Sequence, residues 1–166
     1  MAADERSHLD LIQSNRMPMH VVLTKGLTQV TLGAPQSIYN GGLLRATVRY
    51  FDPDRGRPGL PPDTAALVDQ LGADHVGLQL INCHRDAPRR LVVQAGAFGE
   101  HRFAQVRWPQ ASGDGKAALP VDGRHFVVEL PPGTSVALRA QLQRFCQRPS
   151  YAFPWHADGI PVPFPQ

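Results

Sequence analysis

Lysine is almost missing from this chain. Of its 17 basic residues only Lys25 and Lys116 are lysines, and the other 15 are arginines. The arginines are scattered and interleaved with Asp52, Asp54 and Asp86, for a formal net charge of +3. A nucleic-acid binder concentrates its positive charge in a stripe. This pattern reads instead as a mixed, solvated surface, with no nucleic-acid partner. Cysteine is also scarce. Cys83 and Cys146 are too few for a disulfide scaffold. Cys83 ends an apolar run and is expected to be buried, with both thiols free. No apolar run reaches the length of a bilayer-spanning helix, so no membrane partner is expected. The first residues lack the apolar core of a secretory leader. The default expectation is therefore a cytoplasmic protein, or a secreted one if this chain is the tail of a longer precursor.

Glycine and proline are abundant, at 15 and 16 of 166 residues. That excess argues against a helix bundle and for short strands joined by turns. Residues 4–15 could form a short helix. β-Branched residues dominate 17–24 and 27–32, which read as extended. Asn40, Gly41 and Gly42 mark a tight turn. Leu43 to Phe51 reads as a strand with Ala46, Val48 and Tyr50 on one face. Residues 52–62 form a loop. Pro61 and Pro62, with Asp63 or Thr64 as cap, predict a short helix over 65–71. Beyond it the alternation is clear. Val76, Leu78 and Leu80 share one face of a strand over 75–83. Further strands are expected at 89–95, 100–108, 125–130 and 134–142. In the second of these, His101, Phe103 and Gln105 oppose Arg102, Ala104 and Val106. Residues 109–116 read as a flexible loop and 121–124 as a hairpin-like turn. The fold class predicted is mainly β, an antiparallel β-sandwich with one or two short helices. Its organisation is an N-terminal extended or interface segment at 1–42, a β-sandwich at 43–142, and a Pro- and aromatic-rich tail at 143–166 packed on it.

Catalytic patterns are not found. Seven histidines occur, but none are spaced to share a metal on one helical turn or one strand face, so no metal or other cofactor is expected. Glu100 and His101, like Asp74 and His75, are adjacent and read as surface or turn polar residues. No Gly-x-Ser-x-Gly elbow is present. Cys83 and His84 are poorly placed for a nucleophile and its base. Asp52, Asp54, Glu100 and Glu129 have nothing that pairs them across a cleft. No catalytic residue is therefore assigned.

Binding residues are easier to nominate. Flat rings stack on the apolar faces of sugars, and Trp108, Tyr151, Phe153 and Trp155 are the candidates for carbohydrate binding. The competing reading is burial against the sandwich or a neighbouring domain.

Residues Val76 to Asn82, Arg90 to Gln94, and Phe126 to Leu138 with its Pro131–Pro132–Gly133 corner resemble the C-terminal β-sandwich domains of glycoside hydrolases. The likeness covers residues 75–142. It implies an accessory domain without catalytic residues that packs against a catalytic domain, in the same or another chain, and sometimes binds glycan. No site residue is carried over from it. The favoured expectation is such a non-catalytic accessory or interaction domain, with a catalytic domain or a second copy as partner. The alternative is a glycan-binding module that holds polysaccharide through its surface aromatics. A second alternative is a small β-sandwich enzyme with His84, Glu100 and His101 at its loop edges.

Overall fold

The computed structural model describes residues 25–34, 46–109 and 116–156. The expected helix at 4–15, the extended run at 17–24 and the turn at 40–42 lie outside the described residues. The chain is mainly β, as the turn spacing predicts. After helix α1 (Lys25–Leu32) come β1 (Val48–Asp52), β2 (Arg57–Pro58), β3 (Thr64–Leu71), β4 (His75–Asn82), β5 (Arg89–Ala95), β6 (Arg102–Pro109), β7 (Lys116–Gly123), β8 (His125–Leu130) and β9 (Ser135–Gln143). They form two antiparallel sheets. One has the order β2-β1-β5-β8 and the other β3-β4-β9-β6-β7.

The inner faces build one core. Val48, Tyr50, Leu91, Val93, Phe126 and Leu130 of the four-stranded sheet meet Val76, Leu78, Leu80, Phe103, Leu138 and Leu142 of the other. Burial of these side chains is the main stabilising term. Phe103 and Phe126 join the sheets edge to face, with ring centroids 4.9 Å apart.

Three expectations fail for identifiable reasons. Residues 27–32 are helical, not extended. The last carbonyls of α1 find partners on β1 and the residue before it. Tyr50 Oη donates to Thr31 O at 2.9 Å, and the Thr47 amide donates to Leu32 O at 2.9 Å. Thr47 Oγ1 donates to Gly33 O at 2.8 Å, and Gly33 ends the helix at φ 62°. These caps outweigh the β preference of Thr28, Val30 and Thr31. Residues 65–71 are a strand, not a helix. Asp63 sits at φ 58° instead of capping, and Ala66 and Val68 pack inward while Leu67 and Leu71 face out. The strand at 116–123 was not foreseen. Pro120 and the Asp122–Gly123 turn hide it, yet proline is tolerated because β7 is an edge strand.

The face assignment in β6 is also corrected. The pairing of β6 with both neighbours slips between Phe103 and Gln105. This bulge at Ala104 lets Phe103 and Val106, three residues apart, both point inward. Cys83 is exposed, not buried, and both thiols are free. The inward position at that strand end belongs to Asn82.

The five-stranded sheet's outer face as candidate functional site

Strand alternation sends every second residue of β4, β9 and β6 outward. The pairing registers then place them in rows across the sheet. Gln79 lies beside Ala137. Gly77 lies beside Arg139, Arg139 beside Arg107, and Arg107 beside Ala118. His75 lies beside Gln141, and Gln141 beside Gln105. The result is an open groove of about 590 Å³ whose wall is amide, guanidinium, imidazole and carboxylate, with Trp108 and Pro109 at one end.

These groups are pre-ordered. β3 carries a bulge, since its pairing with β4 skips Asp69 between Val68 and Gln70. The bulge turns the Asp69 carboxylate over Gly77, where any Cβ would clash with Asp69 Oδ1. There it accepts from Gln79 Nε2 at 2.8 Å. Gln105 Nε2 donates to Gln141 Oε1 at 2.9 Å. Arg139 donates to His75 Nε2 at 2.8 Å, and His75 Nδ1 contacts Asp74 Oδ1 at 2.9 Å. A guanidinium can only donate, so His75 carries its proton on Nδ1 and donates a hydrogen bond through it to Asp74. That hydrogen bond, with one from its own backbone, holds the Asp74 carboxyl below the usual carboxylate range.

The four aromatic candidates do not come together. Trp108 lies on β6, half-buried against the core, and edges the groove. Tyr151, Phe153 and Trp155 lie on the other side of the molecule, with Phe51 of β1. The Phe153 and Trp155 rings sit 5.7 and 5.9 Å from Phe51 and 5.4 Å from each other. Tyr151 stands edge-on to Phe98 at 5.2 Å. The Arg49 guanidinium lies 5.0 Å over the Phe51 ring. Tyr151 keeps 76% and Trp155 38% of its surface open. Of the groove residues, the sequence nominates only Trp108 for binding. The available signal was the polar alternation Gln79, then Gln105 and Arg107, then Arg139 and Gln141.

The residues nominated for an enzymatic alternative are used to hold loops. Glu100 and His101 are buried, not surface residues. The Glu100 carboxylate accepts from the amides of Ala97 and Phe98 at 3.3 and 2.8 Å, and His101 Nδ1 accepts from the Phe145 amide at 3.0 Å. A loop folded inward needs such acceptors for its amides. Burial pushes the His101 pKa down, although Glu100 opposes it. His84 Nδ1 accepts from the amides of Asp86 and Ala87. Glu129 is exposed. Among the described residues no group of three His, Cys, Asp or Glu side chains could hold a metal ion, and no helix is long and apolar enough to cross a membrane.

His125 adds a pH-dependent term. Its Nε2 lies 2.9 Å from Gln94 Oε1, while Gln94 Nε2 donates to Gly96 O and Ala97 O, both at 3.0 Å. Burial, and then the nearby Arg124, push its pKa down to about 4. The unfolded chain takes up this proton near pH ~6.5, the native state only near its lowered value. Stability from this group is therefore complete above the unfolded pKa and falls as pH drops through that window. After discounting for partial exposure the loss is about 2 kcal/mol. Urea midpoints for wild type and His125→Gln are expected to diverge at pH 7 and converge toward pH 4. Parallel curves across that range would contradict this.

No protein-family model, curated protein or solved structure matches the chain.

Proposed function

We propose that this protein is a non-catalytic polysaccharide-binding module and that the outer face of its five-stranded sheet is the binding surface. The observation that carries the reading is the pre-ordered polar groove over β4, β9 and β6. Amides, carboxylate and guanidinium groups already held in place can bind sugar hydroxyls with little further loss of side-chain entropy. Ala137 keeps the floor low, the Asp69 carboxylate covers Gly77, and Trp108 offers an apolar edge at one end. The tail aromatics serve a different purpose, covering Phe51.

Affinity electrophoresis through a panel of neutral and acidic soluble polysaccharides tests this. At least one polymer is expected to retard the protein. Gln79→Ala and Gln105→Ala should each weaken that retardation about 3–10-fold, the effect of losing one or two hydrogen bonds. Trp155→Ala should leave it unchanged. Binding lost through Trp155→Ala but not through the groove variants would move the site to the tail.

A second reading, attachment to a partner domain, is supported by the edge of the sandwich along β7 and β8. There Leu119 and Val127 are 50% and 59% exposed. They flank an apolar cleft of about 420 Å³ that reaches Trp108, Val128 and Val136. Exposed apolar surface of this kind promotes association. Sedimentation equilibrium should show self-association at high concentration that Val127→Lys abolishes. A concentration-independent monomer would count against this reading.

A further inference from the structure

The centre of the groove holds two arginines side by side. Arg107 of β6 and Arg139 of β9 are direct cross-strand partners on the outward face. Like charges in that relation repel and cost stability. Proteins commonly offset such a pair with a carboxylate in direct contact; here Asp74 acts on Arg139 only from a distance, and Arg107 has no such partner. Among the described residues neither arginine forms an ion pair with an Asp or Glu, and Arg107 makes no hydrogen bond. The two carboxylates of the groove stand apart from Arg107: Asp69 is positioned by Gln79 and Asp74 by His75, each keeping its charge at the β3–β4 side of the groove. Beside Arg107 the row continues to Ala118, which offers no counter-charge, whereas beside Arg139 the Asp69 carboxylate lies over Gly77. Arg139 donates to a neutral imidazole nitrogen of His75, which orients it without neutralising it.

We infer that the ligand of this groove is an acidic polysaccharide, whose anionic group lies between Arg107 and Arg139. This rests on the reading of the groove as a polysaccharide site and names the chemical class that it takes. The guanidinium fork matches a carboxylate in two parallel hydrogen bonds, and two adjacent forks can grip both oxygens from either side. The surrounding amides of Gln79, Gln105 and Gln141 then address ring hydroxyls. A sulfate ester offers the same oxygen geometry, so uronate and sulfate share this recognition.

The test uses the full chain and four polymers: polygalacturonate, its carboxyl-reduced neutral counterpart, dextran sulfate and dextran. Reduction changes only the carboxylate to a hydroxymethyl group. Binding is measured by affinity electrophoresis and by titration calorimetry at two salt concentrations. At least one acidic polymer is expected to bind ten-fold or more tightly than its neutral partner, with affinity falling as salt rises. Arg107→Ala and Arg139→Ala should each reduce that affinity about ten-fold. Arg107→Lys should recover part of it, since charge remains but the fork is lost. Arg148→Ala, an exposed arginine in the tail, removes the same net charge and should change little. Polygalacturonate alone would identify a uronate ligand, and dextran sulfate alone a sulfate ester.

Equal binding of acidic and neutral polymers would overturn the acid inference and leave the groove reading standing. An equal loss with Arg148→Ala would reduce the effect to net charge and also overturn it. Failure of all four polymers, with retardation by other neutral glycans, would do the same. Failure of every glycan would remove both readings.

Discussion

Replacing Asn82 with alanine is expected to lower the melting temperature by about 10 °C, the larger of the two strongest effects foreseen for this fold. Asn82 is buried at the end of β4, where the β4–β5 and β8–β9 connections meet. Its Nδ2 donates to Ala87 O at 2.9 Å, Leu130 O at 3.0 Å and Pro131 O at 3.1 Å. Its Oδ1 accepts from the His84 amide at 2.9 Å. One side chain therefore ties two corners of the sandwich together. Truncation leaves three carbonyls and one amide without this partner. Each group left unsatisfied in a buried site costs about 1–3 kcal/mol, and partial access to water reduces the sum to about 3–4 kcal/mol. For a chain of this size that is about 10 °C. Asn82→Asp separates donor from acceptor. It keeps an acceptor for His84 but sets a carboxylate against three carbonyl oxygens, so it should be at least as damaging at pH 7. Thermal unfolding followed by circular dichroism reads both. A shift under 3 °C for either variant would contradict the role given to Asn82.

Phe51→Ala is expected to cost about 3 kcal/mol, within the range for emptying a buried aromatic site. It should also release the tail. Phe51 points outward from the four-stranded sheet, yet it has no exposed surface. Phe153, Trp155 and the Arg49 guanidinium surround it. Without the ring, the segment around Phe153 and Trp155 loses its main apolar contact, while residues 144–151 keep links of their own, such as Arg144 to Gly72 O, Phe145 against His101 and Tyr151 against Phe98. The chain has two tryptophans. In a Trp108→Phe background the emission of Trp155 should move to longer wavelength when Phe51 is replaced, and proteolysis should cut the tail sooner. Unchanged emission would show that the tail is anchored without Phe51. The polysaccharide binding proposed for the groove should survive this variant, because the groove lies on the other sheet.

Much of the sandwich could be read from the chain because its second half alternates cleanly. Val76, Leu78 and Leu80 in β4, and Phe126 and Leu130 in β8, show their inward face locally. The failures occur where distant contacts decide. α1 forms because Tyr50 and Thr47 cap it, and neither is legible from 27–32. The strand at 64–71 reads as a helix until its pairing with β4 supplies hydrogen bonds that a short isolated helix would lack. Bulges are the other blind spot. At Ala104 one shifts the inward phase, and at Asp69 one re-aims a carboxylate, yet neither residue type signals a bulge.

The groove was hidden for the same reason. In the sequence the rings of Trp108, Tyr151, Phe153 and Trp155 stand out as binding candidates. The structure separates Trp108 from the other three. Arg139 and His75, which it joins, are 64 residues apart. Arg107 meets Arg139 only because β9 inserts between β4 and β6. Scattered arginines look like a solvated surface until that strand order is known.

The most direct measurement is amide chemical-shift mapping of the full chain during titration with trigalacturonate. The account predicts changes concentrated on β4, β9 and β6 around Gly77, Arg139 and Arg107, with Phe51 and residues 150–156 unmoved. Changes centred on Phe51 and the tail rings, or no change at millimolar ligand, would contradict it.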